Sequence, residues 1–342
     1  MKAVRIHGYG DVDVLKYEDA PDPKPSYGEV VVKVKACALN HLDLWVRKGV
    51  PKAPQLPHIL GSDIAGEIAE VGSGMADLKT GTPVLLQPAV SCGVCDLCIA
   101  GDDNFCRDYG IVGARILGGN AEYVKVPRVN IMPMPQSLSY TEAAAIPLVF
   151  LTAWHMLVDR AHLKAGEDLL VIGAGSGVGS AAIQIGKLLG ARVIATASKD
   201  ENLAKARELG ADNTINHATQ DIAEEVRRLT EKKGVEVVFE HVGTAVWDKC
   251  IAAMARAGRL VTCGATTGPT VQLNVTLLFG RQQSILGSFM GRKSDLLEIL
   301  PFFAQKKLRP VVDSVFTLKD AAAAHQRLES RQQFGKVVVT AE

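Results

Sequence analysis

The 342-residue sequence has no apolar run of the roughly 18 residues that a membrane span requires. It has almost no net charge, since 38 Lys and Arg against 37 Asp and Glu leave +1. Such a balance gives no electrostatic footprint for nucleic acid or a charged membrane surface. The opening stretch, MKAVRIHGYGDVDVL, alternates like a strand and lacks the apolar core of a signal peptide. The cysteines number seven, an odd count, and without an export signal they argue against a disulfide framework. Tandem repeats and low-complexity tracts are absent too. These absences leave a cytoplasmic globular protein with a small-molecule substrate. Its length and 47% hydrophobic content suffice for two domains, each with its own core.

What is present is organised around residues 168–199, DLLVIGAGSGVGSAAIQIGKLLGARVIATASK. Asp168 to Ile172 reads as a buried parallel strand, and Arg192 to Ala197 as a second. Between them a helical face of Val178, Ala182, Ile185 and Leu189 stops at Gly190. Gly173, Ala174, Gly175, Ser176, Gly177, Val178 and Gly179 join the first strand to that helix. A turn so poor in side chains lets its backbone approach a phosphate, whose charge the helix N-terminus stabilises. The register differs from G-x-G-x-x-G, because with Gly179 last it reads Ala174-x-Ser176-x-x-Gly179. The alternative is a merely tight βα turn. An NAD site normally ends the second strand with an acid that holds the ribose 2′-hydroxyl. Here the strand ends Ala197-Ser198-Lys199, a hydroxyl and an ammonium that suit a 2′-phosphate and favour NADPH. Ser198-x-x-Glu201 could alternatively be a helix capping box, and Lys199 a solvated surface residue.

Residues 1 to about 130 read as short strands with many turns, including Val30–Ala36, Ile64–Val71, Thr82–Gln87 and Ala121–Val126. Prolines 21, 23 and 25, and then 51, 54 and 57, mark irregular connections. Helices are expected from Thr141 and over Leu151–Val158. Strands at 168–172, 192–197, 213–216, 235–241, 259–263 and 284–288 alternate with helices, the layout of a doubly wound parallel sheet. Helices near 294–305 and 321–328 and a strand at 336–340 form a tail expected to pack back on the N-terminal domain.

Cys92, Cys95, Cys98 and Cys106 have the spacing C-x2-C-x2-C-x7-C. Four thiolates can surround zinc tetrahedrally at about 2.3 Å, and a closed shell leaves no position for reacting water, so one structural zinc is expected. An iron–sulfur cluster can use similar spacing, but nothing else in the sequence points to electron transfer.

The order of a β-rich domain, a four-cysteine lobe and a Gly-rich nucleotide fold resembles the medium-chain dehydrogenase/reductase superfamily. The resemblance covers essentially the whole chain. It is carried by GEVVVKVKACALNHLD, LPHILGSDIAGEIAEVG, CGVCDLCIAGDDNFC, EAAAIPLVFLTAW, the glycine turn and the terminal GKVVVT. It implies an α/β protein with a GroES-like catalytic domain (1–148, zinc lobe about 88–110) and a Rossmann NADP-binding domain (149–288). Residues 289–342 would return to the catalytic domain, with the active site in the cleft and a homodimer or homotetramer as the assembly.

The zinc alcohol dehydrogenases of this superfamily carry a second, catalytic zinc on Cys, His (in Gly-His-Glu) and Cys. By resemblance those positions fall here at Asn40, Ser62 and Leu148, and Gly-His-Glu becomes Gly61-Ser62-Asp63. Asn and Ser are poor zinc ligands and Leu is none. Without a metal to help an alcohol lose its proton, hydride transfer is best directed to an activated acceptor, a quinone or an α,β-unsaturated carbonyl. This matches the quinone oxidoreductases and enoyl thioester reductases, which also lack that metal. Asn40 and Ser62 are the candidate hydrogen-bond donors to the acceptor, and Asp43 a candidate orienting group. Asn40 could instead hold a turn and Asp43 be a buried acceptor. His41, His58, Trp45 and Tyr123 are further candidates with structural alternatives, and Cys37, His41, Asp43 and His58 an improvised metal set.

For the cofactor the resemblance implies Thr152, Phe289 and Met290 near the nicotinamide, residues 174–179 on the pyrophosphate, and Ser198 and Lys199 on the 2′-phosphate. It places His217 by the adenine and Val242, Gly264 and Ala265 at ligand-binding strand ends, with Lys336 near a phosphate. The competing functions are a zinc-type alcohol dehydrogenase and a non-catalytic NADPH-binding protein.

Overall fold

A computed structural model describes residues 1–50, 53–75 and 77–341, so Pro51 of the second proline group lies outside the described residues. The chain divides into two compact units, Met1–Leu148 with Arg292–Glu342, and Val149–Gly291. Among the described residues no helix is long and apolar enough to cross a membrane.

The first unit is built on β-strands. They are β1 (Lys2–Ile6), β2 (Leu15–Asp19), β3 (Glu29–Ala38), β4 (His58–Ile59), β5 (Asp63–Val71), β6 (Pro83–Leu86), β7 (Ala89–Val90), β8 (Gly110–Ile111), β9 (Tyr123–Pro127) and β10 (Ile131–Pro133). Helices α1 (His41–Arg47), α2 (Asp96–Ile99) and α3 (Tyr140–Ala144) interrupt them, and α4 spans Pro147–Trp154. Alternation along β3 buries Val30, Val32 and Val34 on one face, where they meet Ile64, Ile68, Val124 and Val126. Burying those branched side chains drives the sheet together.

The second unit holds β11 (Asp168–Val171), β12 (Arg192–Ala197), β13 (Asn213–Asn216), β14 (Val235–Glu240), β15 (Met254–Thr262) and β16 (Ser284–Gly287). Helices α5 (Gly177–Leu188), α6 (Asp200–Glu208), α7 (Ile222–Leu229), α8 (Trp247–Ala253) and α9 (Val275–Gly280) connect them. All six strands are parallel, in the order β13-β12-β11-β14-β15-β16. The order reverses between β11 and β14, the switch point where this architecture binds ligands. Strands covered on both faces must be apolar throughout, as Leu169–Ile172 and Val193–Ala195 are.

The tail, α10 (Lys293–Ala304), β17 (Val312–Thr317), α11 (Ala321–Glu329) and β18 (Lys336–Thr340), belongs to the first unit. β18 pairs antiparallel with β3, Val339 opposite Cys37, and parallel with β17. The sheet therefore runs β10-β6-β5-β3-β18-β17, with β9 also on β3. Arg47, at the end of α1 and fully buried, ties α1 to α11 through Glu329 at 2.8 Å and His325 Nδ1 at 3.3 Å. Burial and the Arg47 charge hold His325 neutral, its pKa down to about 3.

Candidate functional site

The glycine turn follows β11 directly. Gly173 has φ 69°, open to glycine at little cost, and a Cβ there would press on His241 Nε2 at 3.2 Å. Ser176 caps α5, with Oγ accepting from the Gly179 N–H at 2.9 Å and donating to the Gly173 carbonyl at 2.8 Å. A Cβ on Gly179 would collide with that same carbonyl. The first turn of α5 leaves the Gly177 and Val178 N–H groups without intrahelical partners, as an anion site needs. Ala174 is buried, its N–H on the Thr196 carbonyl at 2.8 Å, so it supports the turn from behind. His241 lies beneath, with Nε2 3.0 Å from the Ile172 carbonyl and 3.1 Å from Ser176 Oγ. Burial lowers its pKa and favours the neutral ring.

At the end of β12, Ser198 and Lys199 are exposed. The N-cap of α6 is Lys199, so Ser198 is not spent on a capping box. The nearby Asp200 accepts from Asn216 Nδ2 at 2.8 Å. His217 is pinned beside them, its N–H on the Ala197 carbonyl at 3.0 Å and Nδ1 3.3 Å from Thr196 Oγ1. Burial and then the Lys249 charge lower its pKa.

The structure brings Thr152 and Met290 together, Oγ1 3.9 Å from Sδ, both buried. Met290 holds φ 54°, a conformation a long side chain adopts only under constraint. Phe289 beside it is exposed. Val242 and Gly243 donate N–H groups to the buried Glu240 carboxylate, and Gly264 passes close to the His241 carbonyl. Ala265 follows Gly264 after the end of β15.

In the first unit a buried polar network occupies the region where β3, β5 and β18 meet α1. Lys336, only 3% exposed, donates to Asn40 Oδ1 at 2.5 Å and Asp63 Oδ2 at 2.8 Å. Asn40 Nδ2 donates to the same Asp63 oxygen at 3.0 Å, and the Leu148 N–H to its other oxygen at 2.7 Å. Asn40 also forms a capping box with Asp43 at the start of α1. Asp43 accepts from the Asn40 N–H at 2.7 Å and the Gly61 N–H at 2.8 Å. Burial nevertheless pushes its carboxyl up to about 6. Ser62, between the two anchored residues Gly61 and Asp63, is buried and its Oγ has no partner.

Lys336, expected near a phosphate, has its ammonium buried on Asp63 and Asn40. One expectation is corrected here. Cys37, His41, Asp43 and His58 do not gather into a metal set among the described residues. Burial pushes the Cys37 thiol well up, and His58 bonds the Gly113 carbonyl at 3.0 Å. His41 contacts Trp45 edge-on with ring centroids 6.5 Å apart.

Cys92, Cys95, Cys98 and Cys106 place their sulfurs within 4.8 Å of one another. Tetrahedral zinc spaces its sulfurs about 3.8 Å apart, and Cys92 and Cys98 stand at 3.9 Å. The donor set and spacing fit a closed zinc centre. Backbone N–H groups of Val94 and Cys95 lower the Cys92 pKa, favouring a thiolate. The lobe is fastened to α10 by Lys293, whose Nζ meets Asp103 at 2.6 Å and Ser91 Oγ at 2.8 Å.

Residues 26–136 match the alcohol dehydrogenase GroES-like domain family, and residues 177–305 the zinc-binding dehydrogenase family. An NAD-dependent alcohol dehydrogenase of Sulfolobus acidocaldarius is 32% identical over 99% of each chain. The chain belongs to the medium-chain dehydrogenase/reductase superfamily. As a member of that superfamily it is an oxidoreductase. Within the superfamily, a crystal structure of an NAD-dependent alcohol dehydrogenase is 48% identical, superposing with a TM-score of 0.98 over all of both chains. An acryloyl-coenzyme A reductase of Metallosphaera sedula is 30% identical over 99% of this chain and 100% of its own.

Asp63 and His241 escaped the sequence reading of this dehydrogenase/reductase. Asp63 stood beside Ser62 in the motif, and its acidity at the head of the apolar stretch Ile64–Gly66 was the available signal. His241 follows directly after β14 on the binding edge of the sheet, a position where polar residues merit notice.

Proposed function

We propose that this protein is an NADPH-dependent reductase of activated acceptors, an α,β-unsaturated carbonyl, enoyl thioester or quinone, working without a catalytic metal. The observation that carries the reading is the network around Asn40, Ser62 and Leu148. An amide, a hydroxyl and an aliphatic side chain stand at the positions matched to zinc ligands, and an ammonium already neutralises the neighbouring Asp63. The absence of an acid at Ala197-Ser198-Lys199 supports NADPH. The relative that reduces acryloyl-coenzyme A is in keeping with the acceptor class.

The nicotinamide supplies a hydride when bound. The Gly175–Gly179 backbone and the start of α5 hold the pyrophosphate, Ser198 and Lys199 the 2′-phosphate, and His217 the adenosine side. Val242, Gly264 and Ala265 border the dinucleotide, while Thr152, Phe289 and Met290 flank the nicotinamide. An acceptor that has gained a hydride carries negative charge on oxygen. Ser62 donates to that oxygen, Asn40 and Asp43 fix its surroundings, and solvent supplies the proton. The four cysteines hold one structural zinc. The exposed edge of β16 and the exposed Val275 and Phe279 favour a homodimer or homotetramer in the cytoplasm.

Metal quantification with an NADPH oxidation screen tests this. One zinc per chain and reduction of enones, enoyl thioesters or quinones is the expected result. The second reading, an NAD-dependent alcohol dehydrogenase, is favoured by the 48% identical structure. It requires two metals per chain and oxidation of simple alcohols with NAD.

A further inference from the structure

The glycine turn after β11 is braced from both neighbouring strands. On the β12 side, Thr196 accepts from the Gly173 N–H through Oγ1 at 3.3 Å and from the Ala174 N–H through its carbonyl at 2.8 Å. On the β14 side the brace is a side chain, His241, whose ring lies against the turn. A hydroxyl has one proton and two lone pairs. Ser176 gives its proton to the Gly173 carbonyl at 2.8 Å and one lone pair to the Gly179 N–H at 2.9 Å. The other lone pair meets His241 Nε2 at 3.1 Å. The same Nε2 is 3.0 Å from the Ile172 carbonyl, which can only accept, so Nε2 carries the proton. Every position on the Ser176 hydroxyl is then filled. With the Gly173, Ala174, Ser176 and Gly179 N–H groups engaged, those of Gly175, Gly177 and Val178 are left for an anion.

Resting on the reading that this turn holds the pyrophosphate, we propose that His241 is a positioning residue of the dinucleotide site: it fixes Ser176 through Nε2–H and takes a solvent proton on Nδ1 as the pyrophosphate arrives. A second proton on the ring goes to Nδ1, so no bond to the turn has to break. Burial keeps the ring neutral before binding. Two titratable groups neighbour it on the elements around it. Glu240, next in the chain, has its carboxylate pinned by the Val242 and Gly243 N–H groups and by the Thr262 hydroxyl at 2.8 Å, and its charge favours the imidazolium. Cys263, just after β15, is pushed up to about 12 by burial and then by Glu240, and stays neutral at pH 7. The turn and the first residues of α5 carry no titratable side chain. A pyrophosphate brings negative charge to the three waiting N–H groups. Binding that favours the charged ring is favoured by it in return, and to the same extent.

The test is calorimetric titration of the full chain with NADP, in two buffers of different ionisation enthalpy, which counts the protons taken up on binding. His241→Gln keeps an N–H for Ser176 but has no place for a second proton. His241→Phe loses both. Wild type is expected to take up more protons than His241→Gln, and its affinity to rise about three- to tenfold more steeply as pH falls from about 8 to about 5. The 2′-phosphate titrates in every variant alike, so the difference belongs to the ring. At about pH 8, where the ring is neutral, His241→Phe should bind NADP about tenfold more weakly than wild type, with His241→Gln restoring part of the loss. Equal proton uptake by wild type and His241→Gln, or a His241→Phe protein that binds as tightly as wild type, overturns the proposal. Failure of the underlying reading looks different: Gly179→Ala, which fills the turn, would bind NADP as wild type does, and both would fall.

Discussion

Gly179→Ala should both loosen the nucleotide unit and abolish its phosphate site. The added Cβ points at the Gly173 carbonyl oxygen and lies 2.8 Å from Ser176 Oγ. That carbonyl cannot retreat, since it already accepts from the Ser176 N–H at 3.0 Å and the Ser176 hydroxyl at 2.8 Å. Relief requires α5 to move, which breaks the 2.9 Å cap from Gly179 N–H to Ser176 Oγ. Losing a cap costs about 1 kcal/mol, and overpacking against fixed backbone adds about 2 kcal/mol. A total of about 3 kcal/mol lowers Tm by about 6–12 °C in a unit of this size. Calorimetry reads that shift, and NADPH fluorescence titration should show a weakened or lost site. Gly280→Ala is the control, because a Cβ there meets nothing within 4 Å, and it should stay within about 0.5 kcal/mol of wild type. A Gly179→Ala protein that melts and binds NADPH like wild type would refute the geometry of the turn.

Ser62→Ala should lower kcat for enone reduction by about a hundredfold while leaving NADPH affinity unchanged, since it removes a donor and adds no bulk. Lys199→Glu should weaken NADPH binding by about tenfold or more and spare NADH, the size of a lost charge-assisted hydrogen bond; equal losses for both cofactors would exclude a 2′-phosphate role. Asp43 titrates near 6 when folded against 3.8 unfolded. Its raised pKa makes the ionised form a penalty of about 3 kcal/mol, fully present above pH 6 and relieved as pH falls to 4. Wild type should therefore gain on Asp43→Asn as pH drops from 7 to 4 in urea titrations, and a constant difference would contradict a buried carboxylate. Cys106→Ser should reduce zinc from one per chain to none and expose residues 92–106 to proteolysis; a zinc content that stays at one would rule out the four-cysteine centre.

Much of the parallel sheet was legible because a strand buried on both faces has a plain signature. Asp168–Val171, Arg192–Ala197 and Asn213–Asn216 appear at or within a residue of their expected limits. β15 starts at Met254, earlier than Arg259, because Arg256 and Gly258 hid the extended backbone in a polar, flexible stretch. The helix expected over Leu151–Val158 begins instead at Pro147, whose missing N–H suits a first turn. The cysteine lobe was readable from spacing alone, because all four ligands lie within fifteen residues of sequence. The polar site was not, since its cation comes from residue 336 and its carboxylate from residue 63. The register of β18 on β3, with that of β5 on the same strand, joins them, and register between distant strands leaves no local trace.

That register also sets a timetable for the nascent chain. The nucleotide-binding half occupies one uninterrupted stretch, 149–291, and can close as soon as it clears the ribosome. The β-rich half has a slot beside β3 that stays empty until residues 336–340 arrive. Until then Asp63 has no ammonium to answer it. A polypeptide halted before that point would carry a finished parallel-sheet unit and a first unit still missing β18, so the buried ion pair is the last part of the molecule to close, with the strand that brings the charge.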